Sequence, residues 1–83
     1  MTDQEILAKL AAILYELDEI PADKVTPDKS FADDLDMDSL TMVDVSESVK
    51  DEFGVEITDD QLKEFVTVQD VVSYISKNAK DPA

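Results

Sequence analysis

The 83-residue chain holds 21 acids against 7 lysines, with no arginine, histidine or cysteine, for a net charge of −14. That composition removes imidazole general bases and Ser-His pairs, disulfides and thiolate metal sites, and it argues against nucleic acid, whose phosphates such a surface repels. It points instead to basic protein surfaces as partners, and self-repulsion predicts a monomer.

A chain of this size makes one small domain with a modest core, burying about 60% of its unfolded surface. The N-terminus MTDQE has no basic segment of the signal-peptide kind. The apolar runs are too short to cross a bilayer, so a cytoplasmic protein without membrane insertion is expected.

Ile6, Leu7, Leu10, Ile13, Leu14 and Leu17 recur at spacings of three and four, which predicts a first helix over about 3–17. Thr2 or Asp3 can cap it, and Ile20-Pro21 ends it. Residues 21–38 then form a long connection, of the length that is usually functional or disordered. Val25, Phe31 and Leu35 read as anchors that pack it down, Pro27 stiffens it, and Phe31-Ala32 is expected to add a short helical turn.

A second helix is predicted over 39–53. Asp38 is its N-cap, which puts Ser39 at the first helical position with its hydroxyl near the surface. Leu40, Met42, Val43, Val45, Val49 and Phe53 read as one broad apolar side, while Asp44, Glu47 and Asp51 share another. Gly54 suits a left-handed C-terminal cap. Val55 and Ile57 read as an extended link with both side chains inward.

Thr58 and Gln61 form a capping box that opens a short third helix, about 59–65, with Leu62 and Phe65 inward. Thr67 and Asp70 give a weaker box before a fourth helix, about 68–78, whose stripe is Val68, Val71, Val72 and Ile75, with Tyr74 at its edge. The closing KNAKDPA reads as a frayed tail. The expected architecture is all-α, a small four-helix bundle over 1–83 with three main helices, one short one and a long loop between the first two.

Three chemistries compete for the stretch from Asp33 to Phe53. Asp34, Asp36 and Asp38 match the start of a calcium loop, but the glycine and the bidentate glutamate of an EF-hand are replaced by Ser39 and Val45. Weak divalent binding by these acids stays as an alternative. A phosphotransferase using Asp36 and Asp38 would need a parallel sheet that this chain has no room or pattern for. The third reading is a modified serine. A helix N-terminus offers free N–H donors and partial positive charge, so Ser39 is well placed to carry a phosphodiester, although serine is also common there for capping reasons alone.

The third reading is favoured by a resemblance. Asp38-Ser39-Leu40, within LDMDSLTMVDV and followed by EFGVEI, DDQLKEF and TVQDVVSYI, resembles the acyl carrier proteins over essentially the whole chain. SFADDLDMDSLTMVD is most similar to the discrete carriers of bacterial dissociated fatty-acid synthesis. The Met start and short tails suit a discrete carrier better than a piece of a larger synthase.

The resemblance implies that a holo-[acyl carrier protein] synthase, which holds the magnesium, transfers 4′-phosphopantetheine from coenzyme A to Ser39. The arm's thiol would hold acyl groups as thioesters. The chain would shuttle them among ketosynthases, an acyltransferase, reductases and dehydratases, catalysing nothing itself. Asp38 would flank the modified serine and contact the synthase. Leu40, Asp44 and Asp51 would face partners, with Glu56, Asp59 and Asp60 extending that surface. Met42, Val49, Leu62, Phe65 and Val71 would line the acyl pocket, though all five are equally good plain core residues.

The sequence departs from the family pattern at Thr41, where many fatty-acid carriers have an acid. Glu47 stands at an often apolar place, and Ser46 would make the pocket more polar. Lys50 interrupts the acid run and is expected to pair with Glu47 or with neighbours of Asp51. The alternatives are a carrier for polyketide, peptide or D-alanyl transfer and, in another class, an unmodified acidic interaction or divalent-binding module.

Overall fold

The computed structural model describes residues 2–79. Over them the chain forms α1 (Asp3–Asp18), α2 (Ser39–Phe53), α3 (Asp59–Glu64) and α4 (Val68–Asn78), with one turn of 3-10 helix at Ala22–Lys24. The four helices are those the spacing predicts. The observed ends follow from the caps.

In α1, Thr2 Oγ1 accepts from the Glu5 N–H at 3.2 Å. The helix runs one residue beyond expectation and stops at Glu19, whose φ of 55° is left-handed and whose N–H donates to Tyr15 O at 2.9 Å. Ile6, Leu10 and Leu14 are fully buried. Leu17 departs from the predicted inward stripe and is 38% exposed, because the helix ends beneath it and Ile20, past the reversal, is the residue that packs inward.

The long connection is packed, as its anchors predict: Val25, Phe31 and Leu35 are buried, and so is Met37. The helical turn expected at Phe31-Ala32 does not form as regular helix. Ser30 O takes the N–H groups of both Asp34 and Leu35 at 3.1 Å, and Asp36 at φ 54° then turns the chain away. The 3-10 turn lies upstream instead.

The connection is also stitched to the start of α4 by an isolated antiparallel bridge between Ser30 and Thr67. Phe31 N–H donates to Val66 O at 3.0 Å, Val68 N–H to Lys29 O at 2.9 Å and Gln69 N–H to Pro27 O at 3.0 Å.

α1 packs on α2 and on α4, and α3 packs on α2. Val45, Val49, Val68, Val71, Val72 and Ile75 close the core with the α1 leucines. On α2, Met42, Val45, Val49 and Phe53 point inward, but Leu40 and Val43 leave the predicted apolar side and are 76% and 40% exposed. They stand three apart on the outer edge of the stripe, where Val43 borders the open α2–α3 cleft. Gly54 caps α2 at φ 70°, its N–H donating to Lys50 O.

Val55 is buried and Ile57 half-buried in the extended link. α3 ends at Glu64, with Phe65 as its C-cap rather than its last residue. The Thr67–Asp70 box, weak by residue type, is complete in both directions. Tyr74 lies at the edge of α4 as expected, its hydroxyl donating to Glu56 O at 3.1 Å and its ring meeting Phe65 edge-on at 5.5 Å.

Lys50 forms no ion pair with Glu47 among the described residues, whereas Lys9 Nζ stands 3.3 Å from Glu52 Oε1. Of the predicted tail, Lys77 and Asn78 belong to α4 and residues 80–83 lie outside the described residues.

Candidate functional site

The head of α2 is built by Asp38. Its backbone is extended, and its Oδ1 accepts from both the N–H and the hydroxyl of Thr41, each at 2.9 Å. Those bonds, the backbone one foremost, hold the Asp38 carboxyl below the ordinary carboxylate range, so it stays charged. Thr41, which stands where an acid is usual in the resembling family, is therefore part of the cap.

No acidic side chain lies within the first turn of α2. At the cap itself, Asp38 is the acid that offsets the positive end of this 15-residue helix. Ser39 sits at that end, exposed.

Two clefts meet at Ser39. One, of about 310 Å³, lies between α2 and α3 and is lined by Ser39, Met42, Val43, Asp59, Leu62 and Lys63. The other, of about 270 Å³, lies between the connection and the α3–α4 link, with Phe31, Met37 and Phe65 among its walls. Ser39, Met42 and Leu62 belong to both, so the Met42 and Leu62 side chains divide them. A larger surface groove of about 520 Å³, holding Asp3, Glu64, Tyr74 and Lys77, does not reach Ser39.

Of the predicted pocket residues, the structure thus brings Met42, Leu62 and Phe65 to the clefts. Val49 and Val71 lie in the closed core and line neither cleft. Leu40, Asp44, Asp51, Glu56, Asp59 and Asp60 are all exposed. Ser46 spends its hydroxyl on its own helix, donating to Val43 O at 2.6 Å.

Lys63 and Val66 at the clefts were not legible as site residues. The only signal for Lys63 is its place next to Leu62 and four residues after Asp59. Among the described residues, no group of three acids or other ligating side chains is arranged to hold a metal ion. Of the Asp34-Asp36-Asp38 run, Asp34 Oδ2 accepts from Ser30 N–H and Asp38 serves the helix cap, so two of the three are already engaged with the backbone.

The small bundle thus presents an exposed serine at a helix head, where two clefts meet. Comparison with known proteins gives its class. The family model described as "Phosphopantetheine attachment site" matches residues 6–75. The chain is 57% identical over 76 residues to the acyl carrier protein of Thermobifida fusca, covering 92% of this chain and 96% of that one. It is 50% identical to the meromycolate extension acyl carrier protein of Mycolicibacterium smegmatis, covering 92% and 77%. The solved acyl carrier protein of Enterococcus faecalis superposes with a TM-score of 0.77 at 38% identity, covering 95% of this chain and all of that one.

The chain therefore belongs to the phosphopantetheine-attachment family, among its acyl carrier proteins. Membership implies a covalently attached phosphopantetheine. It also implies a carrier's role rather than a catalyst's, and dealings with a phosphopantetheinyl transferase and with synthase enzymes.

Proposed function

We propose that Ser39 is the attachment point and that this carrier serves fatty-acid synthesis. The observation that carries the assignment is the coincidence at one residue of an exposed hydroxyl, a helix N-terminus without first-turn acids, and the mouths of both clefts. These residues fit the group: the head of α2 suits a phosphodiester, and Met42, Leu62 and Phe65 offer an apolar floor.

In the loading step Ser39 Oγ bonds to the pantetheine-side phosphorus of coenzyme A, the pyrophosphate P–O bond breaks, and adenosine 3′,5′-bisphosphate leaves. The serine proton passes to a base of the transferase. Once bound, the group supplies the thiol that this cysteine-free chain lacks, for holding acyl groups as thioesters.

The other residues position and recognise. Asp38 fixes the first turn of α2 and flanks the serine. Exposed Leu40 and Val43 give an apolar centre that Asp44, Asp51, Glu56, Asp59 and Asp60 surround with negative charge, the pattern that meets the basic faces of ketosynthases, acyltransferase, reductases and dehydratases. Glu47 and Lys50 are also exposed and change the charge order along α2. Val49 and Val71 form the floor that an acyl chain reaches after Met42 and Leu62 move aside. A cytoplasmic monomer suits the charge, and no helix of the described residues is long and apolar enough to cross a membrane.

A second reading, extension of much longer acyl chains, is favoured by the meromycolate carriers among the relatives at 47–50% identity. Intact mass after incubation with coenzyme A, magnesium and a broad-specificity transferase tests the assignment. The wild type gains one phosphopantetheine, while Ser39→Ala gains none and melts at the same temperature. A wild type that starts unmodified, is folded and gains nothing would overturn it. Offering the loaded protein to ketosynthases of each pathway separates the two readings.

A further inference from the structure

The two clefts at Ser39 differ in the charge at their edges. The loop-side cleft is bordered by Asp33 and Asp38 and by no lysine. The α2–α3 cleft has Asp59 and Lys63 on its α3 wall, one helical turn apart. Of the six lysines among the described residues, Lys63 is the one that lines either cleft. It is exposed and makes no ion pair with another described residue.

A phosphodiester on Ser39 Oγ would add one more negative charge to a surface that is already strongly acidic. Asp38 repels it from the preceding residue and Asp33 from the loop side. The ammonium of Lys63 is the cation across the cleft, with three donors for the phosphate oxygens. Its methylene stem can lie along the cleft wall next to Leu62 while the charge stays in water. Asp59 competes for the same ammonium, and as an exposed partner it holds it weakly.

We propose that Lys63 is a positioning residue: its ammonium pairs with the phosphodiester on Ser39 and lays the pantetheine arm along the α2–α3 cleft in preference to the loop-side cleft. The inference rests on Ser39 being the attachment point. It concerns where the arm lies at rest, which decides the cleft at which an acyl chain first arrives.

The test uses the loaded protein. Loading is verified by intact mass, the terminal thiol is alkylated with a maleimide spin label, and paramagnetic broadening of the backbone amides is read. In the wild type the α3 amides of Asp59–Lys63 are broadened more than those of residues 32–37. Lys63→Glu lowers broadening on α3 by about one and a half to fivefold, the range of an exposed ion pair, and raises it on the loop. Lys63→Arg keeps the wild-type pattern, and Asp59→Asn strengthens it. About 1 M salt, where the Debye length is about 3 Å, imitates Lys63→Glu in the wild type. Failure to load would overturn the Ser39 assignment and this inference with it. Normal loading with α3 broadening unchanged in Lys63→Glu would overturn this inference alone.

Discussion

Replacing Asp70 with alanine removes the acceptor for two backbone donors at the start of α4. Asp70 Oδ2 takes the N–H groups of Val66 at 2.9 Å and Thr67 at 3.0 Å. The same junction holds the long connection, through Phe31 N–H to Val66 O and Val68 N–H to Lys29 O. Val66 is 61% exposed and Thr67 only half-buried, so water can take the place of the lost carboxylate at this surface junction. The cost is therefore set by the cap, about 1 kcal/mol, rather than by the larger penalty of a buried orphan. In a domain this small that lowers Tm by about 4–8 °C.

Asp70→Asn keeps an oxygen acceptor without the charge and should lose about half as much. Urea unfolding reads the change as a lower midpoint at constant slope. Amide exchange at Phe31, Val68 and Gln69 should quicken with it. An unchanged midpoint, or unchanged exchange at Phe31, would refute the reasoning.

The pH dependence follows from the same bonds. The N–H groups of Thr67 and then Val66 hold the Asp70 carboxyl below its ordinary value of 3.8. A folded value below the unfolded one means the contribution is complete above the unfolded value and is lost as pH falls through the folded one. The advantage of wild type over Asp70→Asn is thus constant from neutrality to about pH 5 and fades below it. An advantage that grows on acidification would contradict this.

Glu19→Gly relieves a left-handed backbone at the end of α1 and should stabilise by about 0.5–1 kcal/mol; a lower urea midpoint would show that Glu19 is held by something other than backbone need. Added salt or divalent cations should raise Tm, because the chain repels itself at −14, and equal melts at low and high salt would count against that. Leu14→Ala, at a fully buried site, should cost about 2–5 kcal/mol. Leu40→Ala, at a site 76% exposed, should change stability by less than about 0.5 kcal/mol while slowing the transferase, with folding measured by denaturation and kcat/KM by loading rate. A destabilised Leu40→Ala would place that side chain in the core.

The helices were legible because their ends are chemical. Thr2, Asp38, Thr58 and Thr67 each accept from the backbone where their position predicts. The place of Ser39 as first residue after a cap was legible for the same reason, whereas its reading as a modified serine rests on the family resemblance. Less readable were features made by distant partners. Periodicity assigns Leu17, Leu40 and Val43 to an apolar side but does not say how wide a strip the neighbouring helices cover. The Ser30–Thr67 bridge joins positions 37 residues apart with no local signature. Met37, between acids, reads as loop until the fold closes over it. Lys63 gains its meaning only when α3 comes to rest beside the head of α2.

The division of the clefts by Met42 and Leu62 has a thermodynamic consequence. A sealed empty cavity of the same 310 Å³ would cost about 7 kcal/mol at roughly 24 cal/mol per Å³, within the range of a small domain's entire stability. A protein of this size has no margin to keep such a space vacant while it waits for cargo. On the proposed reading, a flexible thioether and a partly buried leucine keep that space filled, and an acyl guest would open it by displacing them. The guest's own apolar surface would then offset the opening, so the fold need not carry a permanent void.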